Sequence, residues 1–257
     1  MQKCEKNDII WYEFAHFSQT GLINHCYTTR IGGVSEYPYK SMNLAYHMGD
    51  DPKKVDENFN RISATLGFDT KNLKMTTQIH GNTLFLCSTS QDQVADGVDG
   101  LITNIPNMTL TTYHADCVGI LFFDPVKKVI ANAHAGWQGT AQQIGVEIIK
   151  KMTVHYGCRV ENILVGIAPA ICGNCFEIEK DVTEKLGIHS PYVQQKSDHK
   201  WTADLQAINR GALIDIGVLE KNIEVAQLCT VEHPELFFSH RRDGIARGNM
   251  AAMIALK

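Results

Sequence analysis

Short apolar runs dominate the hydropathy pattern of this chain, and apolar residues take helical spacing in only three places. Residues 9–14 and 22–28 read as strands. Short strand-like runs follow near 73–77, 83–87 and 117–123, then in "NILVGIAP" and, late in the chain, "EVAQL". The stretch "DDPKKVDENFNRISATLGF" predicts a helix. An aspartate caps it, Pro52 suits the first turn, Val55, Phe59, Ile62 and Leu66 share a face, and Gly67 stops it. A second helix is predicted over "TAQQIGVEIIKKMTVHYG", capped by Thr140 and ended by Gly157, and a third over "ADLQAINRGALIDIGV", beginning at Asp204. Strands and helices mix without regular alternation, and no repeat or linker interrupts them. The expected class is therefore α+β with a mixed sheet, in a single domain spanning residues 1–257.

One segment breaks the pattern. "TTYHADCVGILFFDPVKKVIANAHAGWQG", Thr111 to Gly139, is mostly apolar, yet it carries His114, Asp116 and Cys117 at one end and His134 at the other. The runs 117–123 and 128–134 flank "DPVK", whose Pro125 has the preset φ of a turn. With Pro125 and Val126 as the central turn residues, opposing residue numbers sum to 251, as 125 and 126 do. That register sets Cys117 across from His134 with β-carbons roughly 4.5–5.5 Å apart. Val118, Ile120 and Phe122 on one face and Leu121, Phe123 and Ile130 on the other make the hairpin buried and rigid. A thiolate and an imidazole held face to face on such a frame supply two ligands of a zinc-type site. Period-two alternation places His114 and Asp116 on the opposite face, where Asp116 is expected to orient a ligand imidazole from behind. His80 in "TTQIHGNTLFL", followed by Gly81, is the expected third ligand. Three protein ligands leave a fourth tetrahedral position for water, the pattern of a catalytic rather than a structural zinc. The plainer alternative is a buried cysteine packed as a small hydrophobe beside two hydrogen-bonded histidines.

Composition narrows the class. With 257 residues, 44% hydrophobic and 20% charged, the chain reads as a soluble globular protein. No run of eighteen apolar residues exists to span a membrane, and "MQKCEKNDIIWYEF" lacks the features of a secretory signal. Eight cysteines without an export signal are expected as free thiols in the cytoplasm. A net charge of −4 with scattered lysines and arginines argues against a nucleic-acid partner, and the local pair Arg241-Arg242 suits a small anion.

Several stretches taken together resemble one family. "YTTRIGGVSEYPYKSMNLAYHMGDDP", "QIHG", "ADGVDGLIT", "HADCVGILFFDP", "NAHAGWQGT", "APAICGNCFEI" and "FFSHRRDG" follow the order and spacing of the laccase-domain proteins, long labelled polyphenol oxidases or multicopper oxidases. The resemblance runs from about residue 22 to the C-terminus. It implies a single zinc held by His80, Cys117 and His134, the trio reached above, and purine nucleoside chemistry. That chemistry comprises phosphorolysis of adenosine, inosine, guanosine and methylthioadenosine, and hydrolytic deamination of adenosine. The implied fold is an α/β sandwich of mixed sheets flanked by helices, with a cysteine-hydrolase-like topology, and the chain is expected to act as a monomer. Two departures weaken the anion site: Gln138 replaces an arginine usual in "GWRG", and "ARGNM" replaces a commoner "TGRM". If either arginine holds phosphate, the task passes to Arg30, Arg241, Arg242 or Arg247.

The implied chemistry sorts the candidates. His80, Cys117, His134 and Asp116 form the catalytic set. Arg30, beside a glycine pair in "TTRIGGVS", is the first candidate for phosphate and Arg242 the second, with Asn43 and His47 completing the substrate-binding residues. An open zinc position would activate water for attack on C6 of adenine, with Asp116, His47 or His114 handling the proton. A true laccase is disfavoured. Its copper cluster draws on His-x-His pairs, and none occurs among the eleven histidines. Copper(II) outranks zinc at such ligands, so copper binding in vitro is expected. Two further classes stay open: a cysteine-nucleophile amide hydrolase using Cys117 with His134 or His80 as base, and a non-catalytic zinc scaffold with a closed site. "CGNC" (Cys172, Cys175) has dithiol spacing but no second pair. Cys229 and the pair Phe237-Phe238 read as core, and Asp99 as a turn residue.

Overall fold

Two mixed sheets pack face to face in the computed structural model, which describes residues 1–88, 93–187 and 190–257. The larger sheet has seven strands in the order Gln2–Lys6, Ile9–Glu13, Ile23–Thr28, Met250–Leu256, Thr109–His114, Leu73–Thr77 and Val94–Asp96. The first five run antiparallel to their neighbours and the last two join in parallel. The six-stranded sheet is ordered Ile223–Val225, Leu164–Ile167, Val118–Asp124, Val129–Ala135, Gly100–Thr103 and Leu84–Leu86, with parallel pairs at both edges. A small third sheet holds Glu177–Ile178, Lys200–Ala203 and Val193–Ser197.

Between the two large sheets, Leu121, Phe123 and Ile130 of one meet Tyr27, Leu110 and Ile254 of the other in a continuous apolar layer. Asn132 pins the layers together, its amide donating to the carbonyls of Leu110 and Ala252 across the gap. Helices close the outer faces. Val55, Phe59 and Ile62 of the helix Pro52–Leu66 pack against Cys26, Tyr113 and Met253 of the seven-stranded sheet. Ile148, Ile149 and Met152 of the helix Ile144–Tyr156 cover Ile120, Phe122 and Ala131 of the other. This is the mixed-sheet α+β class, arranged helix, sheet, sheet, helix.

Two of the three expected helix starts carry their expected caps, whereas Thr140 lies inside a helix instead of capping one. Asp51 accepts from the Lys53 amide to cap the helix Pro52–Leu66, and Gly67 ends it at φ +75°. Asp204 caps the helix Leu205–Asp215 through the Ala207 amide. The expected helix from Thr140 is instead two. A short one spans Trp137–Ala141, Gln143 turns the chain at φ +56°, and the longer helix runs Ile144–Tyr156 to Gly157. The first piece is seated by the neighbouring loop, because a Cβ on Gly139 would lie 2.8 Å from the Gly81 carbonyl. The turn at Gln143 then lays Ile144 and Ile148 onto the sheet. The late strand covers only Ile223–Val225, since Gln227 turns left-handed at φ +52°.

The hairpin register differs by two residues from the expected one. His134 pairs with Gly119, and Val129 with Asp124, because four residues rather than two make the turn. Asp124 accepts from the amides of Val126 and Lys127, and Lys128 adopts φ +52°, which together stabilise the wider loop. Cys117 therefore precedes the strand instead of facing His134 within it.

Candidate metal centre

The segment His114–Cys117 is the crossover between the two large sheets. Thr109–His114 belongs to the seven-stranded sheet and Val118–Asp124 to the six-stranded one, and Asp116 makes the bend at φ +86°. This break ends the period-two alternation and swings Cys117 toward the end of the neighbouring strand Val129–Ala135, where His134 sits. His80 arrives from a loop after Leu73–Thr77, also left-handed at φ +61°. Ligand atoms of His80, Cys117 and His134 all lie within 4.8 Å of one another. The His80 and His134 rings stand edge to face with centroids 4.8 Å apart. Gly136 makes this convergence sterically possible: a Cβ there would lie 3.1 Å from His80 Cδ2 and 3.2 Å from the Cys117 sulfur.

Asp99 organises the trio. It is fully buried, and its Oδ1 lies 2.9 Å from His134 Nδ1. The same carboxylate accepts from the amides of Ile79, His80 and Gly81 at 3.3, 3.0 and 2.8 Å, fixing the loop that carries His80. With Nδ1–H donated to Asp99, His134 presents Nε2 toward the common centre. Asp99, read from sequence as a turn residue, thus fills the orienting role expected of Asp116. Asp116 instead accepts from Thr230 Oγ1, Ser239 Oγ and the Arg241 amide, and so ties the crossover to the C-terminal loops. Its "DGLIT" context offered no signal, because Asp99 reaches His134 only through the pairing of the strands Gly100–Thr103 and Val129–Ala135.

Burial alone would push the Cys117 thiol up, but the charge and hydrogen bonds of His134 and His80 overcome it and bring the pKa down to about 6. Burial likewise disfavours the His134 imidazolium, yet the Cys117 charge and the Asp99 bond raise its pKa to about 9. Burial opposes ionisation of Asp99 too, and its bonds to His134, Gly81 and Ile79 turn the net shift downward. A thiolate and two imidazoles, one braced by a carboxylate, are a donor set for a borderline metal such as zinc. His114 stands outside the set, its nitrogens engaged by Thr112 Oγ1 and the Cys117 carbonyl.

The trio opens into a cavity of about 730 Å³. Tyr113, Trp137 and Phe176 contribute aromatic wall, and His47, Arg241 and Arg247 contribute polar atoms. Burial and the Arg247 charge both lower the His47 pKa, so its imidazole is neutral near pH 7. Among the described residues, Arg247 carries a buried Nε without a hydrogen-bond partner, and Asn249, also on the cavity wall, a buried Oδ1 without one.

Of the other expected anion residues, Arg241 lines the cavity while its guanidinium donates to the Cys175 and Glu177 carbonyls, and Arg30 and Arg242 point elsewhere. Arg30 donates to the carbonyls of Lys40 and Pro234 and stacks 4.7 Å from the Phe238 ring. Arg242 donates to the carbonyls of Thr230, Val231 and Phe237 and pairs with Asp243. Neither lines the cavity. Asn43 is fully buried and spends its amide on Ala45, Asp50 and Asn249. Gln138 is exposed and lies off the cavity, so its departure from arginine leaves that wall unchanged. Phe237 and Phe238 are wholly buried, as expected of packing residues.

The fold and site together define a mixed-sheet α+β protein with a Cys/His metal-type centre at one side of a cavity of about 730 Å³. Residues 24–257 match the profile of the family described as multi-copper polyphenol oxidoreductase laccase, and the chain belongs to that family. It is similar to the purine nucleoside phosphorylase YlmD of Bacillus subtilis, 34% identical over 90% of this chain and 87% of that protein. It is also similar to the human purine nucleoside phosphorylase LACC1, 34% identical over 91% of this chain but only 55% of that longer protein. The crystal structure of YlmD from Geobacillus stearothermophilus superposes with a TM-score of 0.93 at 30% identity, covering 99% of this chain and 98% of that one. Among the described residues, no helix is long and apolar enough to cross a membrane.

Proposed function

We propose that the whole chain acts as one catalytic domain, a zinc-dependent purine nucleoside phosphorylase that also deaminates adenosine. The observation that carries this reading is the trio His80, Cys117 and His134 opening onto a cavity that Arg247 also lines. The names of the similar proteins support the phosphorylase half. His80, Cys117 and His134 would hold the metal, which when bound supplies Lewis acidity beside the substrate.

The chain's own residues account for the rest. Tyr113, Trp137 and Phe176 offer faces against which a purine packs. Arg247, with Asn249 beside it, is the residue for phosphate, in place of Arg30 and Arg242. In phosphorolysis a phosphate oxygen bonds to C1′ as the C1′–N9 bond breaks, and the departing base takes up a proton. His47, on the cavity wall, would relay a proton from the attacking phosphate to the departing base, and Asp116, whose oxygens already accept from Thr230, Ser239 and the Arg241 amide, is better suited to holding the wall. Adenosine, inosine, guanosine and methylthioadenosine are the proposed substrates.

The deciding assay incubates purified, metal-defined protein with adenosine, with and without phosphate, and resolves products by chromatography. Adenine and ribose 1-phosphate are expected only with phosphate, and inosine in either case. Undiminished formation of both in Cys117→Ala overturns the site. A second reading is favoured by one observation: Cys117, His134 and Asp99 also form a thiolate–imidazolium–carboxylate array fit for a cysteine hydrolase. Full activity after chelation, together with inactivation by iodoacetamide, would select that reading over the metal enzyme.

A further inference from the structure

A second group of potential ligands lies apart from the trio. Cys172, Cys175, Cys229 and Glu232 each offer one donor atom, all within 4.8 Å of one another. None of these cysteines is in a disulfide. "CGNC" closes a tight turn in which the Cys172 carbonyl accepts from the amides of Cys175 and Phe176. Its missing partner comes from the far side of the sequence, because Cys229 lies alongside Ala170 in an isolated parallel bridge.

We propose that these four residues form a structural metal site for a soft divalent cation of the zinc type, independent of the trio. Three thiolates and a carboxylate are a tetrahedral donor set with no open position. Zinc–sulfur bonds near 2.3 Å and zinc–oxygen bonds near 2.0 Å imply sulfur–oxygen edges of about 3.5 Å and sulfur–sulfur edges of about 3.8 Å. The sulfurs of Cys172 and Cys175 each stand 3.7 Å from Glu232 Oε1, already at the length of such an edge. Binding displaces the thiol protons. The resulting negative charge has compensating donors: the Cys172 amide lies 3.3 Å from the Cys229 sulfur, and the Arg241 guanidinium donates to the Cys175 carbonyl.

The position of the clip explains its use. It would staple the turn 172–175 to the loop 229–232. The first carries Ile171 and Phe176 of the cavity wall, and the second bonds through Thr230 to Asp116 and through its carbonyls to Arg242. The clip thus sets the wall of the cavity without touching a substrate.

Zinc content by mass spectrometry of the full chain tests the site. Two ions per chain are expected in the unaltered protein, and one in the His80→Ala/Cys117→Ser variant, which empties the trio alone. One is also expected in Cys172→Ser/Cys175→Ser, with a lower melting temperature. A folded His80→Ala/Cys117→Ser protein that holds no metal overturns the proposal. Zinc-edge X-ray absorption on the unaltered protein requires no folding variant. It should average about two sulfurs per zinc, since one site supplies one thiolate and the other three; a single sulfur per zinc overturns the clip. A Cys172–Cys175 disulfide in protein prepared under reducing conditions would do the same.

Discussion

Replacing Asp99 with asparagine isolates the orienting role of its carboxylate without changing its volume. The carboxylate accepts four hydrogen bonds, two at each oxygen: His134 Nδ1 and the His80 amide at Oδ1, Ile79 and Gly81 amides at Oδ2. An asparagine amide has one acceptor oxygen, so either rotamer turns an NH2 group toward two donors. If the oxygen keeps His134, the loop 79–81 loses two bonds. If it keeps Ile79 and Gly81, the loop loses the His80 bond and His134 must surrender its Nδ1 proton and carry one on Nε2, which blocks ligation through that nitrogen. A charge-assisted hydrogen bond contributes about 1.5–3 kcal/mol and a stranded buried donor costs about 1–3 kcal/mol, so a loss of about 3–5 kcal/mol in unfolding free energy is expected after relaxation. Partners of metal-bound histidines typically alter metal affinity by about 10–100-fold, and that drop is expected in a competitive chelator titration. Asp116→Asn is the control, expected to lower stability while leaving metal affinity in place. Metal affinity of folded Asp99→Asn within about twofold of the unaltered protein would refute the role given to Asp99.

The remaining expectations concern the same cavity. In metal-free protein the ultraviolet thiolate signal of Cys117 should titrate near pH 6, and His134→Gln should move that midpoint upward by removing the imidazolium charge. The stabilisation from this pair has two limits: the thiolate's share is lost as pH falls through about 6, and the imidazolium's as pH rises through about 9. Chemical denaturation of chelated protein across that range checks both flanks. Gly136→Ala keeps a φ of −66° that alanine tolerates, so its effect comes from the Cβ contacts with His80 and Cys117 alone. It should cost about 1–3 kcal/mol and loosen metal binding, measured by denaturation and chelator competition. Arg247→Met should raise the KM for phosphate at least tenfold with little change in melting temperature, whereas Arg242→Met, which strands three carbonyls, should lower the melting temperature and leave that KM near its original value.

What the chain's order of residues determined alone was local. Helix caps at Asp51 and Asp204 and stops at Gly67 and Gly157 act through neighbours a few residues away, so they were legible and correct. The trio was legible in another way: two histidines and a cysteine in apolar surroundings are conspicuous by residue type, even though the register first used to join them was displaced by two residues. Other features had no local cause to read. "MAAMIAL" is built from good helix formers, yet Met250–Leu256 is a fully buried strand, held between Ile23–Thr28 and Thr109–His114 because pairing on both sides outweighs intrinsic preference. Asp99 and His134 are 35 residues apart, and Cys175 and Glu232 are 57 apart; their chemistry exists only once strands pair and loops meet. Arg30, Arg242 and Arg247 look alike as letters. Tertiary packing alone decided that two satisfy backbone carbonyls and the third lines the cavity, its buried Nε without a hydrogen-bond partner among the described residues, since the pairing of a buried guanidinium depends on what folds against it.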